Sequence, residues 1–332
     1  RSSPPMSSSP DDASAASASE TSALLRAPSA RRRAFGAFDV SAVGLMTLLA
    51  ALFLVASGVL LGTRGITRAR AEPEPAVAQF EAPFVADPPD GAPATAAIVF
   101  LHGLGGGGGP DGVGAASALM PLPGVKWIFP GAPNRAVTAY GGRVVPAWYD
   151  MSAFSRSVTD MKDDERGLAE SVAYVRGLVM DLVADGIPPG RIVLGGFSQG
   201  GAVAITAALS KMDDRFGGVG GGAESAGGDD APVTPPRLGG CFLLSSYLPL
   251  KDRYPSPMLR AGAEDTPVFI AHGREDTILP FYGFGWITGE KLKQFMTPGR
   301  VAFNEIPEMG HERLGEAEVT LLRDWLVRVL GP

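Results

Sequence analysis

One pentapeptide constrains the fold of this chain more than any other feature: Gly-Phe-Ser-Gln-Gly at residues 196–200. It follows the apolar residues 192–194 and precedes the small residues 201–205. A Gly-x-Ser-x-Gly turn between a buried strand and a helix holds its serine in a strained backbone conformation, and the glycines let the strand and the helix approach closely. The pattern therefore predicts a nucleophile elbow, with Ser198 at the carboxyl end of a strand and beside a helix N-terminus.

The hydrophobic pattern from Thr95 onward alternates between short apolar runs and amphipathic segments. A helix with one apolar face is predicted over residues 163–184, and the same spacing recurs over residues 319–329. Strands that alternate with helices of this length form a mostly parallel sheet with helices on both faces, so the predicted class is α/β. The predicted buried strands are residues 96–101, 125–129, 191–195, 241–245, 267–271 and 301–306.

The first residues of the chain differ from the rest. Residues 1–39 are rich in Ser, Ala and Pro, and we expect a disordered leader there. Residues 40–62 are uncharged and mostly apolar, and as a helix they are long enough to cross a hydrocarbon core of about 30 Å. We therefore expect a transmembrane anchor at residues 40–62 and a single-pass membrane protein. A cleaved signal peptide and an organelle transit peptide are the alternatives, and either would give an organelle-targeted protein or one soluble after leader removal.

The remaining boundaries follow from composition. Residues 63–94 contain many prolines and are predicted to form a linker. Residues 95–332 are predicted to form the catalytic domain, and residues 211–240, which are rich in Gly, Asp and Pro, a low-complexity surface insertion.

Charge and cysteine usage exclude several function classes. The chain of 332 residues has a formal net charge of −6, and its densest basic run is residues 31–33, so we expect no nucleic-acid partner. A single cysteine, Cys241, excludes an intrachain disulfide and a cysteine-rich metal site. A phosphate-binding loop at the glycines 105–109 is not expected, because no Gly-Lys-Ser/Thr follows them. The sequence indicates no cofactor and no metal, and it does not determine the oligomeric state.

The chain has three histidines, so the general base for Ser198 can be found by elimination. In hydrolases with this elbow the chain order is nucleophile, acid, histidine, and only His311 follows both the elbow and an acid at a strand end. The acid is expected in the loop after the strand at 267–271, where Glu275 and Asp276 compete. We prefer Asp276, because a turn back into structure follows it, and its role is to orient the imidazole.

Acyl transfer also needs donors for a developing oxyanion. The backbone N–H of Gln199, the residue after the nucleophile, is one candidate. The other is expected in the loop His102-Gly-Leu-Gly105, whose glycines let the backbone turn its amides inward, and we assign it to the Leu104 N–H. His102 itself is interpreted as structural or site-lining rather than as a metal ligand.

Eight short segments occur in the order typical of one enzyme family. They are residues 101–105, 129–133, 146–150, 186–188, 191–201, 245–249, 272–276 and 310–311. With these segments, residues 96–330 resemble the acyl-protein thioesterase, lysophospholipase and carboxylesterase family of small α/β-hydrolases. The resemblance implies an α/β-hydrolase fold, a triad of Ser198, Asp276 and His311, and backbone oxyanion donors at Leu104 and Gln199.

The resemblance also implies substrates, namely S-palmitoylated proteins, lysophospholipids or small acyl esters. Candidates to line an acyl groove are Leu104, Trp148, Tyr149 and Phe197. Three departures from the family pattern stand out: Gly106 where an Asp is usual, the long connection at 211–240, and residues 1–94, which could tether the enzyme to a membrane. The alternative function is a non-catalytic ligand receptor on the same scaffold.

Overall fold

The computed structural model describes residues 78–109, 122–212, 237–311 and 315–331. The predicted leader at 1–39 and the predicted anchor at 40–62 lie outside the described residues, as do residues 63–77 of the predicted linker and residues 213–236 of the predicted insertion.

A seven-stranded sheet forms the centre of the described part of the chain, with strand order β1-β3-β2-β6-β7-β8-β9. Strand β1 pairs antiparallel with β3, and the other pairs are parallel. A separate antiparallel hairpin is formed by β4 and β5. The strands are β1 Phe84–Ala86, β2 Ala96–Leu101, β3 Val125–Phe129, β4 Asn134–Val137, β5 Arg143–Pro146, β6 Ile192–Phe197, β7 Gly240–Leu244, β8 Val268–Gly273 and β9 Val301–Ile306.

Four α-helices lie in the described residues: α1 Glu165–Ala184, α2 Gln199–Leu209, α3 Gly285–Lys293 and α4 Glu316–Leu330. Helix α1 begins at an Asp164 cap, whose carboxylate accepts a hydrogen bond from the Gly167 amide (3.0 Å). Its buried face includes the five apolar residues whose spacing predicted the helix: Leu168, Val172, Val175, Val179 and Leu182.

The sheet has a hydrophobic layer on each face, because side chains alternate between the faces of a strand. In β2, Ala97, Val99 and Leu101 belong to the layer that contains the apolar faces of α1 and α2. The intervening residues of β2 pack in the other layer, with α4. A mostly parallel sheet with helices on both faces, as predicted, is therefore the observed architecture.

The pairing register brings the functional loops to one edge of the sheet. Leu101 at the end of β2 pairs with Gly196 in β6, and Phe197 at the end of β6 pairs with Leu244 at the end of β7. The carboxyl ends of parallel strands meet at the same edge, and ligands of α/β sheets bind there. The loops after β2, β6, β8 and β9 are thus neighbours.

The prediction of a transmembrane helix and of a single-pass membrane location is corrected. Within residues 78–109, 122–212, 237–311 and 315–331, no helix combines the length and the apolarity needed to cross a bilayer. The predicted span at 40–62 is not among these residues. The structure supports the α/β-hydrolase part of the predicted fold and gives no support to the span.

Four of these strands and helices were not predicted from the sequence. Strand β1 lies within residues 63–94, where only a linker was expected, and it extends the sheet beyond β3. The hairpin of β4 and β5 and the helix α3 also carry no clear periodic pattern. Each is short, between three and nine residues, so few positions were available to reveal a period.

Candidate active site

Ser198 occupies the sharp turn between β6 and α2. Its backbone has φ 53° and ψ −123°, a conformation that L-residues rarely adopt. The Ser198 N–H donates to the Leu244 carbonyl (2.9 Å), and the Ser246 hydroxyl donates to the Ser198 carbonyl (2.6 Å). Residues at the end of β7 therefore hold the strained turn on both sides of its central residue.

The glycines of the elbow make the close approach of β2 and α2 possible. A Cβ atom built on Gly200 would lie 2.2 Å from the Leu101 carbonyl oxygen, and one built on Gly196 would lie 2.5 Å from the same atom. These are backbone contacts, so no side-chain rotation can relieve them. The sequence pattern Gly-x-Ser-x-Gly thus reflects a steric requirement of the turn.

We expect Gly200→Ala to lower the free energy of unfolding by about 1–3 kcal/mol, the usual cost of forcing atoms into a packed site. Chemical denaturation with urea measures this. The matched control is Gly177→Ala in the middle of α1, where an added Cβ meets nothing within 4 Å. That change should be stabilising, because alanine is a better helix former than glycine. A Gly200→Ala protein as stable as the wild type would contradict the steric argument.

The structure brings Ser198, His311 and Asp276 together. His311 Nε2 lies 3.0 Å from Ser198 Oγ, and His311 Nδ1 lies 2.7 Å from Asp276 Oδ2. A carboxylate only accepts hydrogen bonds, so Nδ1 carries the hydrogen and Nε2 is left to accept from the serine hydroxyl. This is the arrangement that a serine nucleophile with a histidine base requires.

The Asp276 carboxylate is buried and accepts several hydrogen bonds. Its Oδ1 accepts from the backbone amides of Ile278 (2.9 Å) and Leu279 (2.7 Å). Burial alone would raise the pKa of this carboxyl, but hydrogen bonds from His272, His311 and the Leu279 amide hold the pKa well below its ordinary value. Glu275, the competing acid from the sequence, is exposed to solvent.

The loop after β2 is fixed beside the elbow. A Cβ atom on Gly103 would lie 2.9 Å from the Phe197 ring and 3.3 Å from Ser198 Cβ, so this part of the loop lies directly against the elbow. The Gly105 amide donates to the Pro146 carbonyl (2.8 Å), and the Gly106 amide donates to the Gly103 carbonyl (3.0 Å). Leu104, the predicted oxyanion donor, lies between Gly103 and Gly105 in this held segment.

His102 supports the same loop. Its Nδ1 lies 2.8 Å from the Gly103 carbonyl oxygen, and its Nε2 lies 3.0 Å from the Ala132 amide nitrogen. A carbonyl accepts and an amide N–H donates, so Nδ1 carries the hydrogen and Nε2 accepts. Nε2 thus connects the loop after β2 to the loop after β3, and the Nδ1 bond lies within the loop after β2.

Gln199 has a role that the sequence did not reveal. Its side-chain oxygen accepts from the Trp148 amide (3.0 Å), and its side-chain nitrogen donates to the Tyr149 carbonyl (2.8 Å). Its own amide lies in the first turn of α2, where N–H groups have no acceptor within the helix. Gln199 therefore clamps the segment at 148–149 while its amide stays at the helix N-terminus.

The four residues predicted to line an acyl groove do not share one environment. Trp148 and Tyr149 are fully buried, and the Trp148 indole N–H donates to the His102 carbonyl (2.8 Å). Leu104 and Phe197 are half-buried, and the Phe197 ring centre lies 4.8 Å from that of His311. Only Leu104 and Phe197 are thus partly open beside the site, whereas Trp148 and Tyr149 belong to the packed core.

A cavity of about 750 Å³ lies next to the loop after β2. Gly107, Gly108, Ala132, Arg135 and Pro146 are among its lining residues, and none of the four predicted groove residues is. In the described ranges no group of three or more His, Cys, Asp or Glu side chains is arranged to hold a metal ion.

Comparison with known proteins gives a consistent set of relatives. The profile of the Phospholipase/Carboxylesterase family matches residues 82–223 and 230–326. The acyl-protein thioesterase 1 of Neurospora crassa is 34% identical over 248 residues, which cover 71% of this chain and 87% of the relative. The acyl-protein thioesterase 1 of Cryptococcus neoformans is 32% identical over 248 residues, with 71% and 93% covered.

Solved structures resemble the same part of the chain. The acyl-protein thioesterase 2 of Zea mays is 28% identical, with a TM-score of 0.56, and the match covers 75% of this chain and 99% of that one. SOBER1 of Arabidopsis thaliana is 25% identical, with a TM-score of 0.58, and the match covers 71% of this chain and 99% of that one.

Proposed function

This chain belongs to the Phospholipase/Carboxylesterase family, and from that premise we propose that it removes long-chain acyl groups from S-acylated proteins by a Ser-His-Asp mechanism. The family and the relatives make it a serine hydrolase of acyl esters and thioesters. The thioester preference, the protein-bound substrate and the roles of individual residues are the proposed part.

The observation that carries the mechanism is the continuous hydrogen-bonded series from Ser198 through His311 to Asp276. His311 removes the proton of the serine hydroxyl, and Ser198 Oγ attacks the acyl carbonyl carbon. The carbonyl oxygen becomes an oxyanion, which the backbone amides of Leu104 and Gln199 stabilise. Asp276 stabilises the imidazolium that forms.

The remaining steps release first the thiol or alcohol and then the acyl group. Imidazolium at 311 returns its proton to the leaving thiolate or alkoxide, which departs as the thiol or alcohol and leaves an acyl ester on Ser198. The same imidazole then deprotonates a water molecule, which attacks this ester, and the imidazolium returns the proton to Ser198 Oγ as the acyl-serine bond breaks and the fatty acid leaves. One difficult hydrolysis is thus divided into two easier displacements that share one base and one oxyanion site.

Two observations support a protein-bound acyl thioester as substrate. The relatives with 32% and 34% identity are named acyl-protein thioesterases, and each match covers 87% or more of the relative. The partly open side chains next to the triad, Leu104 and Phe197, are apolar and suit contact with an acyl chain.

The test compares three substrates on the purified full-length chain: an S-palmitoylated peptide, the same peptide with an O-palmitoyl serine, and a palmitoyl lysophospholipid. We expect the largest kcat/KM for the thioester. Ser198→Ala, assayed in parallel, measures the background hydrolysis of each substrate. A higher kcat/KM for the lysophospholipid would instead make the protein a lysophospholipase, and no turnover of any of the three, or of a short nitrophenyl ester, would favour the ligand-receptor alternative.

The pH dependence of turnover tests the proposed base. We expect kcat/KM to rise with pH between about 5 and 8, the range in which histidine bases in general become active, because a base must be neutral to accept the serine proton. Asp276 adds no second step in this range, because its pKa is held well below the ordinary value and the carboxylate is already ionised. A flat profile over this range for a chemistry-limited substrate would contradict His311 as the base.

A further inference from the structure

We propose that His272 is a positioning residue that holds the Asp276 carboxylate in its productive orientation, so that the site uses two imidazoles on one carboxylate. This inference depends on the proposed function, since Asp276 must first act as the orienting acid. His272 lies at the end of β8, four residues before Asp276, and its side chain is fully buried.

The contacts of His272 determine which ring nitrogen carries the hydrogen. Its Nε2 lies 2.7 Å from the Leu279 carbonyl oxygen and 3.3 Å from Asp276 Oδ2. Both oxygens only accept, so Nε2 carries the hydrogen and shares it between them. Nδ1 has no hydrogen-bond partner among the described residues. The backbone of Gly285 covers this side of the ring, where a Cβ atom would lie 2.6 Å from Nδ1.

These contacts close a small ring of hydrogen bonds. The Leu279 amide donates to Asp276 Oδ1, and the Leu279 carbonyl accepts from His272, which also lies beside Asp276 Oδ2. The loop after β8 is thereby tied to the strand that precedes it. A side chain whose own rotamer is locked in this way can fix the orientation of a catalytic group, which is what a supporting residue must do.

His272 and His311 lie on the same oxygen of the carboxylate. Other charged groups close to His272 are Arg274 on its own chain segment and Glu305, its register partner on β9, and these two form an ion pair with each other. Without His272, Asp276 Oδ2 would have His311 alone as its imidazole partner. The backbone amides would still hold Oδ1, but Oδ2 would be held by one imidazole only, and its charge would act more strongly on the imidazolium at 311.

The experiment compares His272→Leu with His272→Gln. Leucine fills the site without a donor, whereas the glutamine amide can donate from about the position of Nε2. We expect His272→Leu to lower kcat by about tenfold or more, the effect of one lost hydrogen bond to a charged group. The value of KM should stay within about twofold, because only the transition state loses stabilisation. The rise of kcat/KM should move to higher pH, and His272→Gln should restore most of the rate and the wild-type profile.

The matched control is Thr266→Val, a change of similar size at a fully buried site just before β8. Its hydroxyl has no partner among the described residues, and we expect an unchanged pH profile. Wild-type kinetics in His272→Leu would overturn the inference. An equal loss in the leucine and glutamine variants, with no shift of the profile, would also overturn it, because that result indicates only a packing role.

A second measurement does not require a folded leucine variant. Nitrogen NMR of the wild-type protein, with the His272 signals assigned from His272→Gln, reports which ring nitrogen carries the hydrogen. We expect hydrogen on Nε2, and hydrogen on Nδ1 alone would overturn the inference. Labelling of Ser198 by a fluorophosphonate probe separates the two proposals. Labelling that depends on Ser198 and His311 but not on His272 would refute the positioning role and leave the proposed function intact.

Discussion

Ser198→Ala is expected to lower kcat by about 10⁶-fold, the loss typical of removing the nucleophile of such a triad. The reason is that Ser198 Oγ is the atom that lies 3.0 Å from His311 Nε2. Alanine removes only this atom, and the backbone bonds to Leu244 and Ser246 that hold the turn are retained. The folded structure should therefore persist. Turnover of a short nitrophenyl ester measures kcat. Fluorophosphonate labelling measures the reactivity of the serine, and a thermal unfolding scan measures the stability of the fold.

The control for this substitution is Ser152→Ala, which removes an exposed hydroxyl bonded to the Lys162 carbonyl in the same domain. We expect wild-type turnover and wild-type labelling from this variant. Strong labelling of the Ser198→Ala protein would remove the serine mechanism, since the probe would then react with another nucleophile.

Asp276→Asn is expected to give the second largest effect, a fall in kcat of about 10⁴-fold with the geometry retained. Asparagine is the same size as aspartate, but it has one amide nitrogen in place of an oxygen. Oδ1 of Asp276 accepts from two backbone amides, so the oxygen of the asparagine is held there and its NH₂ faces His311 and His272. With a donor at that place, Nδ1 of His311 must accept a hydrogen bond, so the neutral ring carries its hydrogen on Nε2. Nε2 can then no longer accept the proton of the serine hydroxyl.

The same substitution should change how stability depends on pH. The folded pKa of Asp276 is below that of an unfolded aspartate, about 3.9, so the ionised carboxylate contributes stability that is fully present at neutral pH. This contribution is lost as the pH falls below about 4 toward the folded value. The difference in unfolding free energy between wild type and Asp276→Asn should therefore shrink under acidic conditions, which urea denaturation at several pH values measures.

Glu275→Gln is the matched control for Asp276→Asn, because it neutralises the adjacent carboxylate, which is exposed. We expect it to keep wild-type kcat. If Glu275→Gln lost activity and Asp276→Asn kept it, the orienting acid would be the neighbouring residue and the assignment would be reversed.

Sequence reasoning predicted the central sheet well for a physical reason. Strand β2 lies between β3 and β6 and is fully buried, so it appears as a short apolar run and was predicted with the observed boundaries. The edge strand β9 was also predicted with the observed boundaries, although most of its residues are only partly buried. The convergence of Ser198, Asp276 and His311 was predictable because a parallel sheet brings strand ends to one edge and the chain has only three histidines.

Other features depend on contacts between distant segments, which no local pattern encodes. Trp148 and Tyr149 are aromatic and close to the site, and only the Gln199 clamp and the contact with His102 reveal that they are core residues. The pairing of β1 with β3 depends likewise on a partner about 40 residues away. The His-Gly-x-x-Asp sequence at 272–276 places His272 four residues before Asp276, but only the structure shows that the His272 ring contacts the Asp276 carboxylate.

Strand β7 lies between β6 and β8 and supplies none of the three side chains of the proposed triad. Its last residue, Leu244, nevertheless accepts the hydrogen bond of the Ser198 amide, and the hydroxyl of Ser246, just beyond the strand, donates to the Ser198 carbonyl. A shift of β7 would move the Ser198 hydroxyl relative to the imidazole of His311, which follows β9, two strands away in the sheet. Variants at residues 240–246 that lose turnover should thus be examined for misalignment of the proposed triad before they are classed as folding defects.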